Sequence, residues 1–168
     1  MFMENDGETV MATVQQYCET IDVSLSTGPD LIDITDKLSA SASRSRITDG
    51  TMSAVMVGST GSLTTIEYEP GVVADLKQAI SRLVPPDLLY AHELAWHDGN
   101  GHSHVQAALL GPSITLPIRS GKLRLGTWQQ VVAINHDNCA RKRSIEVTII
   151  GVVQKGPLRK QQPESAPS

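Results

Sequence analysis

Aromatic side chains are scarce in this chain: one Phe, two Trp and three Tyr among 168 residues. A nucleic-acid surface needs a basic stripe interleaved with stacking platforms, and none is present. The formal net charge of −4 points the same way, so nucleic acid is not an expected partner. Cysteine is sparse too. Cys18 and Cys139 stand far apart, which gives neither metal-ligand spacing nor a disulfide framework. Free thiols are the expectation, as in a cytoplasmic protein. Long apolar runs are missing as well. Nothing approaches the ~20 residues of a membrane-spanning helix. The opening MFMENDGETV lacks the basic and apolar regions of a signal peptide. A soluble, cytoplasmic protein with no membrane partner is expected. Basic charge is concentrated once, at Arg141-Lys142-Arg143, beside Asp137 and Asn138. That run reads as the solvated tip of a hairpin.

The length suits one domain with a sizeable core. Residues 1–8 read as a loose N-terminus, 9–153 as the domain and 154–168 as a flexible tail. From Lys155 onward that tail has only Leu158 to bury. Thr9–Gln16 and Ile21–Ser26 read as strands, with a Gly28-Pro29 turn after the second. Leu31–Ile34 either pairs with that strand or connects onward. Thr35 is the expected N-cap of a short helix through about Ser43. Thr51–Val57 reads as a buried strand, Gly58–Ser62 as a loop and Leu63–Tyr68 as the next strand. Pro70 opens a helix whose apolar stripe, Val72, Val73, Leu76, Ile80 and Leu83, runs down to Pro85-Pro86. A short second helix is expected around Asp87–Glu93. Further strands are expected at His102–Leu110, Ser113–Pro117, Thr127–Asn135 and Ser144–Val153. Antiparallel strands with two or three helices make an α+β domain.

Chemistry concentrates in residues 92–111, which hold four of the five histidines together with Glu93, Asp98 and Asn100. His102 and His104 stand two apart after the turn Asp98-Gly99-Asn100-Gly101. On a strand they would share a face at ~7 Å. Such a pair can hold a divalent metal ion or an anion, or exchange a proton. His92, Glu93 or Asp98 would complete a ligand set. The structural alternative is one histidine in a core polar network and the others in water, with Asp98 and Asn100 as turn residues. His97 reads as exposed. The loop Gly58-Ser59-Thr60-Gly61-Ser62 can offer backbone N–H groups to an anion, although a simple turn explains it equally. Trp128, with Val132 and Ile134, reads as covering a core, and Gln129 on the opposite face can reach a ligand. Glu67 and Glu69 bracket Tyr68 as a weak carboxylate pair.

Three stretches carry a family resemblance: GSTGSLTTIEYEPG from Gly58, DGNGHSHVQAALLGPSITLPI from Asp98, and GKLRLGTWQQ from Gly121. Their motifs, order and spacing resemble the YjbQ-like family, also called secondary thiamine-phosphate synthases, over roughly residues 9–152. The resemblance implies an α+β fold of largely antiparallel sheets packed around a threefold axis in a homotrimer. It implies a site near His104. It suggests condensation of a pyrimidine diphosphate with a thiazole phosphate, releasing pyrophosphate. On that reading His104 and Glu67 are catalytic, and Ser59, Thr60, Asn100 and Gln129 bind a small phosphorylated substrate. His102, His104 and Asp98 would hold a divalent ion, and Arg119, Lys122 or Arg124 would neutralise charge. One departure stands out. Gly58-Ser59-Thr60 occupies the place of a His-Thr-Thr motif found in many members, so a histidine offered to the site there is missing here. The alternative function is a non-catalytic homotrimer that binds a metal or an anion.

Overall fold

The structure is a computed structural model that describes residues 2–5 and 8–154. The tail expected from Lys155 onward lies outside the described residues. Two strands open the chain, β1 (Phe2–Asn5) and β2 (Glu8–Leu25), then β3 (Asp30–Asp33), α1 (Thr35–Ser45), β4 (Asp49–Met56) and β5 (Gly61–Ile66). After them come α2 (Pro70–Leu83), a 3-10 turn (Ala91–Leu94), α3 (Gly101–Leu110), β6 (Ser113–Arg119), β7 (Lys122–Leu123), β8 (Gln130–Asn135) and β9 (Arg141–Gln154). A six-stranded sheet runs β1-β2-β9-β4-β6-β7, and a three-stranded sheet runs β3-β8-β5. All pairings are antiparallel. The expected α+β class is therefore observed.

Strand β8 sits at the centre of the packing. Val131 and Ala133 join the main core with Leu38, Met52, Ile118, Ile145 and Ile149. Val132 and Ile134 point the other way and pack with Leu31, Ile66, Leu76 and Leu110. The small sheet is thus a middle layer, with the large sheet on one face and α2 and α3 on the other. Strict alternation on one strand serves both faces. Helix α2 forms as its stripe predicts. The Glu69 carboxylate accepts from the N–H groups of Gly71 and Val72, and Pro70 occupies the first turn, where its missing N–H costs nothing.

Several expectations change. Thr9–Gln16 and Ile21–Ser26 are one 18-residue strand, because β9 pairs with it without a break from Ala12↔Gln154 to Leu25↔Arg141. Phe2–Asn5 form β1, paired with β2, within the stretch expected to be a loose terminus. Thr35 is not the N-cap. Ile34 precedes the helix, and the Thr35 hydroxyl donates to Asp33 and accepts from Val131 N–H. The helix expected at Asp87–Glu93 is a single 3-10 turn. Trp128 is 70% exposed, since β8 begins only at Gln130 and the core phase starts at Val131. Leu83, at the end of the α2 stripe, is also exposed.

The largest change concerns His102–Leu110, which is helix α3 and not a strand. Its inner face, Ser103, Gln106 and Ala107 with half-buried Leu110, has the 3–4 residue spacing of a helix. Two of those side chains are polar, so hydrophobic periodicity does not reveal the face. Gly101 lets the helix start here. A Cβ at that position would stand 2.5 Å from the Cβ of Tyr90, closer than side chains pack.

Candidate functional site

The ends of β5, β8 and β9 meet α3 in a buried polar cluster. His136 follows β8 and is fully buried. Its Nε2 lies 2.7 Å from Ser62 Oγ and its Nδ1 3.2 Å from Gln106 Oε1. The Gln106 amide nitrogen donates to Val84 O, which leaves its oxygen to accept. Nδ1 therefore carries the proton, and Nε2 accepts from the Ser62 hydroxyl. Burial is the main cause that lowers the His136 pKa to about 4, and the Arg143 charge adds to it. The ring is neutral at pH 7. Ser62 and His136 have the contact of a nucleophile and its base. Both are inaccessible, though, and a neutral glutamine occupies the third place, where a carboxylate would stabilise an imidazolium. The cluster fastens α3 to the small sheet, and Ser103 Oγ adds a bond to His136 O at 2.7 Å.

Beside it lies a charged pair of strand ends. Arg143 Nη2 donates to Thr60 O and Oγ1 and to Asn135 Oδ1, and Nε also donates to Asn135 Oδ1. Asp137 Oδ2 accepts from Thr60 Oγ1 at 2.9 Å and lies 3.0 Å from Arg141 Nε and 3.6 Å from Arg143 Nη2. Burial alone would raise the Asp137 carboxyl. Hydrogen bonds from Arg141 and Thr60 outweigh it and hold the pKa below the usual carboxylate range. Arg141-Lys142-Arg143 is thus the start of β9 and not a solvated hairpin tip. Arg143 shares the inward phase of Ile145, Val147 and Ile149. That phase was the available signal, masked by the charge of the run.

His102 and His104 diverge because two residues on a helix are ~200° apart. The His102 ring is buried 6.3 Å from that of Tyr90, with Nε2 3.2 Å from Ser103 Oγ. Burial lowers its pKa, against the pull of the Asp137 and Glu93 carboxylates. His104 instead faces His92, with ring centroids 4.6 Å apart. His92 Nε2 is buried with no hydrogen bond, and Asp98 Oδ1 lies 3.5 Å away without the alignment of one. Among the described residues no three His, Cys, Asp or Glu side chains gather as a metal centre. A divalent ion on His102, His104 and Asp98 does not fit this arrangement.

His104 lines a pocket of about 330 Å³ with Gly58, Ser59, Gly61, Ala107, Ala108 and Pro112. Of the expected site residues, Ser59 and His104 therefore share a cavity. Thr60 lies behind it in the Arg143–Asp137 cluster. Asn100 is buried and accepts from Asn138 N–H, clamping two loops together. Gln129 and Glu67 are elsewhere. The register pairs Gly61 with Asn135 and Ile66 with Gln130, so both lie past the far end of the small sheet, roughly 20 Å along the strands. Gln129 there closes its own turn, accepting from Gly126 N–H and donating to Thr65 Oγ1. Arg119 is similarly remote. Pro112 borders the pocket, and β6 carries the chain away from it to Arg119 at its far end.

The comparisons with known proteins agree with this architecture. A family model described as UPF0047 protein YjbQ-like matches residues 19–152. The chain belongs to the YjbQ/UPF0047 family. It is 32% identical to a UPF0047 protein of Methanothermobacter thermautotrophicus over 138 residues, 82% of this chain and 94% of the relative. A UPF0047 protein of Archaeoglobus fulgidus is 35% identical over 69% of this chain and 88% of its own length. Among solved structures, a YbjQ-like protein of unknown function from Sulfolobus solfataricus superposes with a TM-score of 0.79 at 32% identity, covering 83% of this chain and 99% of that one. A YjbQ/UPF0047 family protein of Clostridium acetobutylicum gives 0.68 at 32% identity, over 77% of this chain and 98% of its own.

Proposed function

We propose that the chain binds a small phosphorylated molecule in the His104 pocket and that His104 moves a proton there. The observation that carries this reading is the position of His104. It stands in the wall of a cavity that Gly58, Ser59 and Gly61 also line, with the His92 ring alongside it. Imidazole is the side chain suited to proton transfer near neutral pH, and backbone N–H groups of a small-residue loop suit an anion. The candidate reaction is the condensation of a pyrimidine diphosphate with a thiazole phosphate. Incubating the purified chain with both precursors should yield thiamine phosphate, and His104→Ala should abolish it. Equal rates in the two proteins would assign the product to a contaminating synthase and remove the enzymatic reading.

A homotrimer is part of this proposal. Leu88, Leu89, Leu94 and Trp96 are all more than half exposed in one copy, more apolar surface than a lone subunit ordinarily shows in one segment. Glu67 and Gln129 stand at the far end of the small sheet, so they join His104 only if a neighbouring copy supplies them. A non-catalytic binding trimer is the second reading, and it shares that same apolar surface. Light scattering near three subunit masses supports the assembly, and a monomer at micromolar concentration contradicts it.

A further inference from the structure

Resting on that reading of the pocket, we propose that Arg143 is its anchor for a phosphate-ester oxyanion, reached through the gap that Gly58 leaves. The Arg143 side chain is only 8% exposed. Nε and Nη2 are held by Asn135 and Thr60, while Nη1 has no hydrogen bond among the described residues. Gly58 touches both partners: it lines the pocket, and a Cβ on it would stand 3.1 Å from Nη1. Its φ of +125° is a conformation that suits glycine. The backbone itself therefore keeps side chains out of this space.

Charge supports the same conclusion. Arg141 and Arg143 share a single carboxylate, that of Asp137, which leaves one positive charge in excess. A guanidinium fixed on one edge and open on the other is pre-organised for an oxyanion. Ala107, Ala108 and Pro112 give the pocket a small apolar wall, near which an ionic contact is stronger than in water. The ligand class is a small phosphate monoester. Its phosphoryl oxygens meet Nη1 and its organic part rests on the apolar wall, within reach of His104.

The test is a titration of the 15N-labelled full chain with inorganic phosphate, methyl phosphate and acetate, followed through the Arg143 guanidinium and His104 imidazole resonances. Phosphate and methyl phosphate should shift both groups, and acetate should do so only at far higher concentration. Arg143→Lys keeps the charge but cannot hold Asn135, Thr60 and the ligand together, so phosphate affinity should fall about tenfold or more. If that variant does not fold, the wild-type guanidinium shift still decides. A phosphate titration that moves His104 and leaves Arg143 still overturns the anchor and spares the pocket. No response of either group to millimolar phosphate overturns both. Equal response to acetate overturns the phosphate-ester class.

Discussion

At the Gly61–Asn135 end of the small sheet, side chains from β5, β8, β9 and α3 interlock through Thr60, Ser62, Gln106, Asn135, His136, Asp137 and Arg143. At the Ile66–Gln130 end, Glu67, Tyr68 and Trp128 are exposed, and among the described residues Gln129 bonds only to its own turn and to Thr65. One sheet thus joins a rigid charged cluster to an open polar turn. Both ends contain residues that the family resemblance assigns to function. At the first, the polar side chains hold one another in fixed geometry. At the second, Glu67 and Gln129 take part in no such network among the described residues.

The sharpest way to break this comparison is Asp137→Ala. It removes the carboxylate that two guanidiniums share, and leaving Arg143 buried and unpaired should cost about 3–5 kcal/mol. Urea denaturation measures it, and Glu67→Ala, at the exposed end, should stay within about 0.5 kcal/mol. Acid comes next. The His136 pKa drops from 6.5 to about 4 on folding, so between those values the unfolded chain binds more protons than the folded one. Stability is fully present above pH 6.5 and should decline by about 3 kcal/mol as pH falls to 4. Unfolding curves at several pH values read this directly. His102, also lowered by burial, adds in the same direction. A flat profile over that range would show that the cluster is open to water.

Gln106→Leu should cost about 1–3 kcal/mol, because it leaves His136 Nδ1–H and Val84 O without their partner; thermal melts suffice to measure it. The smallest stability effect belongs to Trp128→Ala at the open end. A ring 70% exposed in one copy should change monomer stability by less than about 0.5 kcal/mol. If a neighbouring copy covers it, the variant should instead lower the mass seen by light scattering.

Legibility in the sequence followed hydrophobicity. Helix α2 was plain because its stripe is apolar and Pro70 marks its start. Strands β4, β6 and β8 were found to within a few residues for the same reason. Helix α3 was hidden because its inner face carries Ser103 and Gln106, partners of a polar cluster and not of an oil-like core. His104, which the spacing places on a strand beside His102, instead lines a pocket from helix α3. A strand would have paired it with His102, whereas the helix pairs it with His92. Arg143 is masked by its charged neighbours, although alternation back from Ile149, Val147 and Ile145 places it inward. The separation of Glu67 from His104 depends on the register of β5 with β8 and on where α3 packs, which motif spacing does not contain.

The central position of β8 also bears on how the chain is made. A ribosome releases β3 and β5 long before residue 130, and β2 waits for β9, which begins at Arg141. Nearly every strand synthesised first depends on a partner synthesised last. No early segment can close its sheet alone, and its unpaired edges stay available to other nascent chains meanwhile. Such distant pairing predicts slow refolding. It also predicts that chains stalled before Gln130 aggregate, while those released after Gln154 do not.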